Sequence, residues 1–195
     1  MLADSDLTAL ETLLTPLLGI AYGYALRLRQ DSAEAEDLLQ DAALAAVRGF
    51  GTFQQGTNFK AWFFQILTNC FYGRHRRVKR EGQSTDLDDV PELYLYERTA
   101  ESGLHRGLDP AREVLSRLDQ AEIGAALGRL PDEYRVVSTL YFMEDFTYEQ
   151  IATILEVPVG TVRSRLHRGR KLLQRQLWPI AVEHGILSQA DRSRA

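Results

Sequence analysis

The sequence predicts an all-α protein made of two small helical domains joined by an acidic linker, the C-terminal one containing a helix-turn-helix. Three observations carry this. Apolar residues recur at helical spacing through most of the chain on either side of residues 81–111. Between Glu81 and Pro110 that periodicity fails, and eight carboxylates stand against two arginines among scattered Gly, Ser, Thr and Pro. Near the C-terminus a short capped helix gives way, after "EVP", to a helix whose outward face is basic. The expected domains are therefore residues 1–80, a linker at 81–111, and residues 112–195 including a tail.

Each element has a local cause. "DLTALETLLTPLLGIAYGYALRL" keeps apolar residues on one helical stripe, and "SAEAEDLLQDAALAAVRGF" is rich in Ala, Leu and Glu, with Ser32 placed to cap it. Gly51 and Gly56 bracket a loop. A third helix runs through "FKAWFFQILTNCFYGRHRRVKR", where Phe59, Trp62, Phe63, Ile66 and Cys70 follow helical spacing. Beyond the linker, "REVLSRLDQAEIGAALGRL" is amphipathic, and Pro131 suits the first turn of a helix through "LPDEYRVVSTLYFMED". "TYEQIATIL" opens on Thr147 and Gln150, the spacing of a capping box. A tight turn then leads into the basic helix, which completes the helix-turn-helix pattern.

Composition narrows the function classes. With 45% apolar and 26% charged residues in 195, an ordinary soluble fold is expected. No apolar run is expected to span a membrane, and "MLADSDLTALETLL" lacks the basic start of a signal peptide. The lone Cys70 permits no internal disulfide, which fits a reducing cytoplasm, and its apolar surroundings read as a packed thiol rather than a nucleophile. His75, His105, His167 and His184 are scattered without metal-ligand spacing. Neither a phosphate-cradling glycine loop nor a nucleophile–base motif is present, so no catalytic residue, metal or cofactor is expected.

Two cationic clusters stand out from a chain of formal net charge -4. In "VPVGTVRSRLHRGRKLL", five basic residues and a histidine occupy Arg163–Lys171 with no carboxylate. At about 100° per residue, Val162, Leu166, Gly169 and Leu173 share one side of that helix. Arg163, Ser164, His167, Arg168 and Lys171 share the other, with Arg165 and Arg170 on the flanks. A solvated face usually mixes charge signs; a single sign fits a polyanion partner better. The second cluster, "GRHRRVKR", carries five Arg/Lys and a histidine behind an aromatic-dense segment. Cations beside aromatics suit a single strand, whose phosphates and unpaired bases they hold. Core packing is the competing role for those rings, since Phe59, Trp62, Phe63 and Ile66 share a face.

At these residues the chain resembles a family. "AEDLLQDAALAAVRGF…NFKAWFFQILTN…RHRR" is similar to the first conserved domain of bacterial sigma factors of the extracytoplasmic-function group, within the sigma-70 family. "LGRLPDEYRVVSTLYFMEDFTYEQIATILEVPVGTVRSRLHRGRKLL" resembles their second. The resemblance implies a transcription initiation factor that binds RNA polymerase core, through its beta and beta-prime subunits, and directs it to promoter DNA. It implies that the C-terminal domain reads the −35 element as duplex and the N-terminal domain captures the −10 element as a single strand. Carried over by position, Arg163, Ser164, His167 and Arg168 would face the major groove, while Arg165, Arg170 and Lys171 would hold phosphates. Asn58, Lys60, Trp62, Asn69 and Tyr72 match the strand-capturing segment, with Arg74, Arg76 and Arg77 gripping backbone. Asp37, Gln40 and Asp41 would lie on the polymerase-facing helix. The acidic linker matches the segment that threads the polymerase cleft. An anti-sigma factor is a further candidate partner.

Two other classes compete. A stand-alone helix-turn-helix regulator explains the C-terminal half but not the segment Phe59–Arg80 or the acidic tether. A structural adaptor leaves both uniform basic faces without a role.

Overall fold

In the computed structural model, which describes residues 4–78 and 119–183, eight α-helices account for nearly every described element and no strand occurs among them. The N-terminal unit comprises α1 (Asp4–Leu14), α2 (Leu18–Arg29), α3 (Ser32–Gly49) and α4 (Phe59–Val78). The C-terminal unit comprises α5 (Gln120–Gly128), α6 (Asp132–Phe142), α7 (Tyr148–Leu155) and α8 (Val159–Glu183). The linker and tail expected from sequence lie outside the described residues.

The first apolar stretch is two helices, not one. Pro16 falls in a 3-10 turn, Thr15–Leu17, that separates α1 from α2, because proline cannot supply the N–H an α-helix needs at that depth. Taken together, Ser5–Arg29 is nonetheless long and apolar enough to cross a membrane by length and composition. This corrects the expectation that no such run exists. Ala21, Tyr24, Ala25 and Leu28 of α2 bury inside the protein, against α3 and α4, the usual fate of an apolar core helix.

The cap of α3 is Asp31, one residue before the predicted Ser32: its carboxylate accepts from the Glu34 amide at 2.9 Å. Charge favours aspartate there, at the positive end of the helix. Asp119 caps α5 with a full capping box to Glu122, and Pro131 immediately precedes α6. The predicted box of Thr147 and Gln150 closes α7, each side chain bonding the other's backbone amide. Glu156 then takes φ 53°, the left-handed turn between the two helices of the motif.

Val162, Leu166 and Leu173 of α8 are buried as their spacing predicts. Gly169 joins them because α8 crosses α6 with almost no gap: a Cβ there would lie 2.5 Å from Ser138 Oγ. The two units share one hydrophobic core. Phe63, Phe64, Leu67 and Phe71 of α4 belong to the same buried cluster as Leu140, Phe146, Ile151 and Val162. A smaller core holds α5 to α6 and α8 through Ile123, Leu127, Leu130, Tyr134, Leu173 and Leu177. Cys70 is partly buried at the edge of the large core and packed against it.

Candidate nucleic-acid interface

The first half of α8 stands on a fully packed underside. Val162 and Leu166 are both 0% exposed, while Arg163, Ser164, His167 and Arg168 are all exposed. Amphipathic spacing has thus become a buried stripe and an exposed cationic one. Ser164 Oγ donates back to the Thr161 carbonyl at 3.0 Å. Partial burial, then the nearby Lys171, Arg170 and Arg168, hold the His167 imidazole below its ordinary range. Its neutral form, with one nitrogen to donate and one to accept, is thereby favoured.

The flanking cations divide. Lys171 is half-buried. Arg165 is turned to Glu133 on α6, Nε to Oε2 3.5 Å. Arg170 departs from the phosphate-holding role expected of it. It is 7% exposed, its guanidinium lies 5.1 Å from the Tyr141 ring centroid and 5.7 Å from that of Phe142, and Nη2 donates to Tyr148 Oη at 3.2 Å. It clamps α6 and α7 beneath the basic helix.

The aromatic segment is likewise split. Phe59, Phe63, Phe64 and Phe71 are core. Trp62 is half-buried, edge-on to Phe50 at 6.2 Å and tilted against Phe53 at 5.3 Å. Asn58 caps α4, its Oδ1 accepting from the Ala61 amide at 3.1 Å, and Asn69 is exposed. Between α1 and the loop before α4 lies an open cleft of about 510 Å³, lined by Leu13, Phe50, Phe53, Gln55, Thr57 and Phe59. Sequence reading missed Gln55 and Thr57, which sit in a featureless polar loop. α4 runs unbroken through Gly73 to Val78; the side chains of Arg74, Arg76 and Arg77 lie outside the described residues.

Lys60 and Tyr72 point at the other unit. Lys60 Nζ donates to the Glu144 carbonyl at 2.8 Å and lies 3.5 Å from Glu144 Oε2, and the Phe146 ring centroid is 4.9 Å away. Burial pushes the Tyr72 phenol up to about 12, with Arg165, Asp132 and Glu133 of the C-terminal unit all within electrostatic reach. On α3, Asp37 and Gln40 are exposed and Asp41 is half-buried. Leu44 joins that face at 55% exposed, whereas Leu38 is core.

Comparison with known proteins places this geometry. Residues 13–81 match the family model "Sigma-70 region 2" and residues 120–173 match "Sigma-70, region 4". The RNA polymerase sigma-H factor of Pseudomonas aeruginosa is 32% identical over 83% of this chain and 82% of its own length. The ECF RNA polymerase sigma factor SigW of Bacillus subtilis is 31% identical over 80% of this chain and 82% of its own.

The chain belongs to the extracytoplasmic-function sigma factors.

It is accordingly a factor for promoter-specific initiation by RNA polymerase, and its region 4 binds DNA. The sigma factor also resembles a solved structure, the sigma factor RpoE in complex with the anti-sigma factor NepR from Bartonella quintana. The TM-score is 0.61 at 29% identity, over 84% of this chain and 93% of that one. Both cationic clusters of the sigma factor fall within or at the edge of the matched regions, 163–171 in the second and 74–80 in the first.

Proposed function

We propose that this sigma factor divides promoter DNA between its two units. In this reading α8 enters the major groove of the −35 element, with Arg163 and Arg168 pairing to guanine edges and His167 and Ser164 beside them. Lys171, and Arg165 once released from Glu133, hold phosphates. Asn58, Lys60, Trp62, Asn69 and Tyr72, with Arg74, Arg76 and Arg77, capture the −10 strand by stacking and charge. The cleft beside Phe53, Gln55 and Thr57 offers an unpaired base an apolar wall and polar edges. Asp37, Gln40, Asp41 and Leu44 dock on the core polymerase, through its beta and beta-prime subunits, in the cytoplasm where polymerase works. The acidic linker is the segment that would enter the polymerase channel.

One observation carries the reading: two residues of α8 at 0% exposure lie directly under four exposed polar or cationic ones, on the second helix of a capped helix-turn-helix. The test is promoter opening by holoenzyme, on a closed duplex and on a template already mismatched at the downstream element. The mismatched bubble should largely rescue Arg163→Ala and leave Tyr72→Ala defective on both templates. Equal behaviour of the two variants on the bubble would refute the division of labour.

A further inference from the structure

Two of the α4 residues proposed to capture the −10 strand, Lys60 and Tyr72, lie on a stripe that in this structure faces the C-terminal unit. Lys60, Phe64, Thr68 and Tyr72 are spaced by four and so line one stripe of α4, with Gln65 beside them. Besides contacts within its own unit, this stripe and its neighbour Gln65 reach across the boundary between units. Lys60 meets Glu144, Phe64 meets the Phe146 ring at 5.4 Å, and Gln65 Nε2 donates to Glu156 Oε1 at 2.8 Å. Arg27 on α2 approaches the same carboxylate, Nη1 to Oε1 4.0 Å. Glu144 thus presents to two cations of the N-terminal unit what a backbone phosphate would present: an anionic oxygen pair.

We infer that Glu144 is an autoinhibitory latch that holds Lys60 in place of a strand phosphate, so that the closed sigma factor masks the Lys60 stripe of its single-strand surface while leaving its duplex-reading helix exposed. The inference rests on the strand-capture reading of α4. The asymmetry is structural: Arg163, His167 and Arg168 are exposed in the same state in which Lys60 is engaged. The latch is also built to open. Its ion pairs are long, at 3.5 and 4.0 Å, and Glu144 Oε2 is buried without a hydrogen bond. A carboxylate taken from water and so loosely paired recovers little of its desolvation cost. Burial accordingly raises the Glu144 carboxyl above its ordinary range despite Lys60 and Arg27. A strand phosphate offering Lys60 a solvated partner competes on favourable terms.

The experiment locks and unlocks the closed state in the full chain. Gln65→Cys and Glu156→Cys, in a Cys70→Ser background, are joined by a short bismaleimide crosslinker. Binding to a fluorescein-labelled random-sequence single-stranded 20-mer and to a random duplex of the same length is read by anisotropy. The crosslinked chain should bind the single strand at least about tenfold more weakly than the uncrosslinked one, with duplex affinity unchanged. Glu144→Lys should tighten single-strand binding several-fold beyond Glu149→Lys, which makes the same charge change at an exposed site of α7. Single-strand binding that ignores the crosslink, or Glu144→Lys indistinguishable from Glu149→Lys, overturns the latch alone. Equal loss of strand and duplex binding on crosslinking overturns its selectivity for the strand. No single-strand binding by any variant, Glu144→Lys included, overturns the strand-capture reading together with the latch.

Discussion

Arg170 offers the sharpest test of the interface, because sequence and structure assign it opposite roles. Replace it with alanine. If it holds a phosphate, the fold is indifferent and DNA binding loses a charge. If it clamps α6 and α7, the reverse follows. The lost contributions are two ring contacts at roughly 1 kcal/mol each, a hydrogen bond to Tyr148 of about 1 kcal/mol, and two buried methylenes, Cγ and Cδ, near 0.8 kcal/mol each. Against these stands the recovered cost of burying a guanidinium, several kcal/mol. The net expectation is a loss of about 2 kcal/mol. A chain of this size, its two units tied through one core, loses roughly 2–4 °C of Tm per kcal/mol, so thermal unfolding should fall by about 4–8 °C. Duplex affinity below the melt, titrated against salt, should keep its slope, since each phosphate contact contributes about 0.9 to that slope. An unchanged Tm with a slope reduced by about 0.9 would refute the clamp and restore the phosphate role.

Three further outcomes follow from the geometry. Gly169→Ala forces a Cβ against Ser138 Oγ at 2.5 Å and should cost about 1 kcal/mol after its gain in helix propensity, whereas Gly124→Ala, with nothing within 4 Å, should stabilise by up to about 1 kcal/mol; opposite shifts in urea midpoint check both. The Tyr72 phenol is raised from its ordinary value near 10 to about 12, so the fold favours its neutral form. Its contribution to stability is complete below pH 10 and lost as pH rises through about 12. The tyrosinate absorbance difference between parent and Tyr72→Phe should therefore appear near pH 12, and a step near 10 would contradict the burial. Reversing charge at Asp37 and Asp41 together, which share a face of α3, should abolish co-elution with core polymerase without altering the circular dichroism spectrum.

What could be read from sequence was whatever is decided within one turn of helix. The capping box of Thr147 and Gln150, and the burial of Val162 under Arg163, need only local spacing. The errors have different causes. Ser32 and Asp31 are both competent caps, and only the position of the Glu34 amide separates them. Apolar spacing continues across Pro16, so periodicity alone does not show the break between α1 and α2. Arg170 sits on the flank of its own helix, where no wheel reveals that Tyr148, 22 residues earlier, supplies its cover. For Lys60, proposed to hold the −10 strand, what no local pattern announces is its partner Glu144, 84 residues away. Roles fixed by distant contacts have no local signature.

The shared core has a practical consequence for anyone selecting variants of this protein. Phe64 against Phe146, and the apolar residues around them, tie the two units into one buried cluster. Heat resistance and regulatory output therefore draw on the same contacts. A library sorted for thermal survival would enrich substitutions that deepen that junction, and its winners would be the hardest molecules to open. Library design should treat the seam between α4 and α7 as off limits and confine stabilising changes to places such as α5, where Gly124 has room to spare.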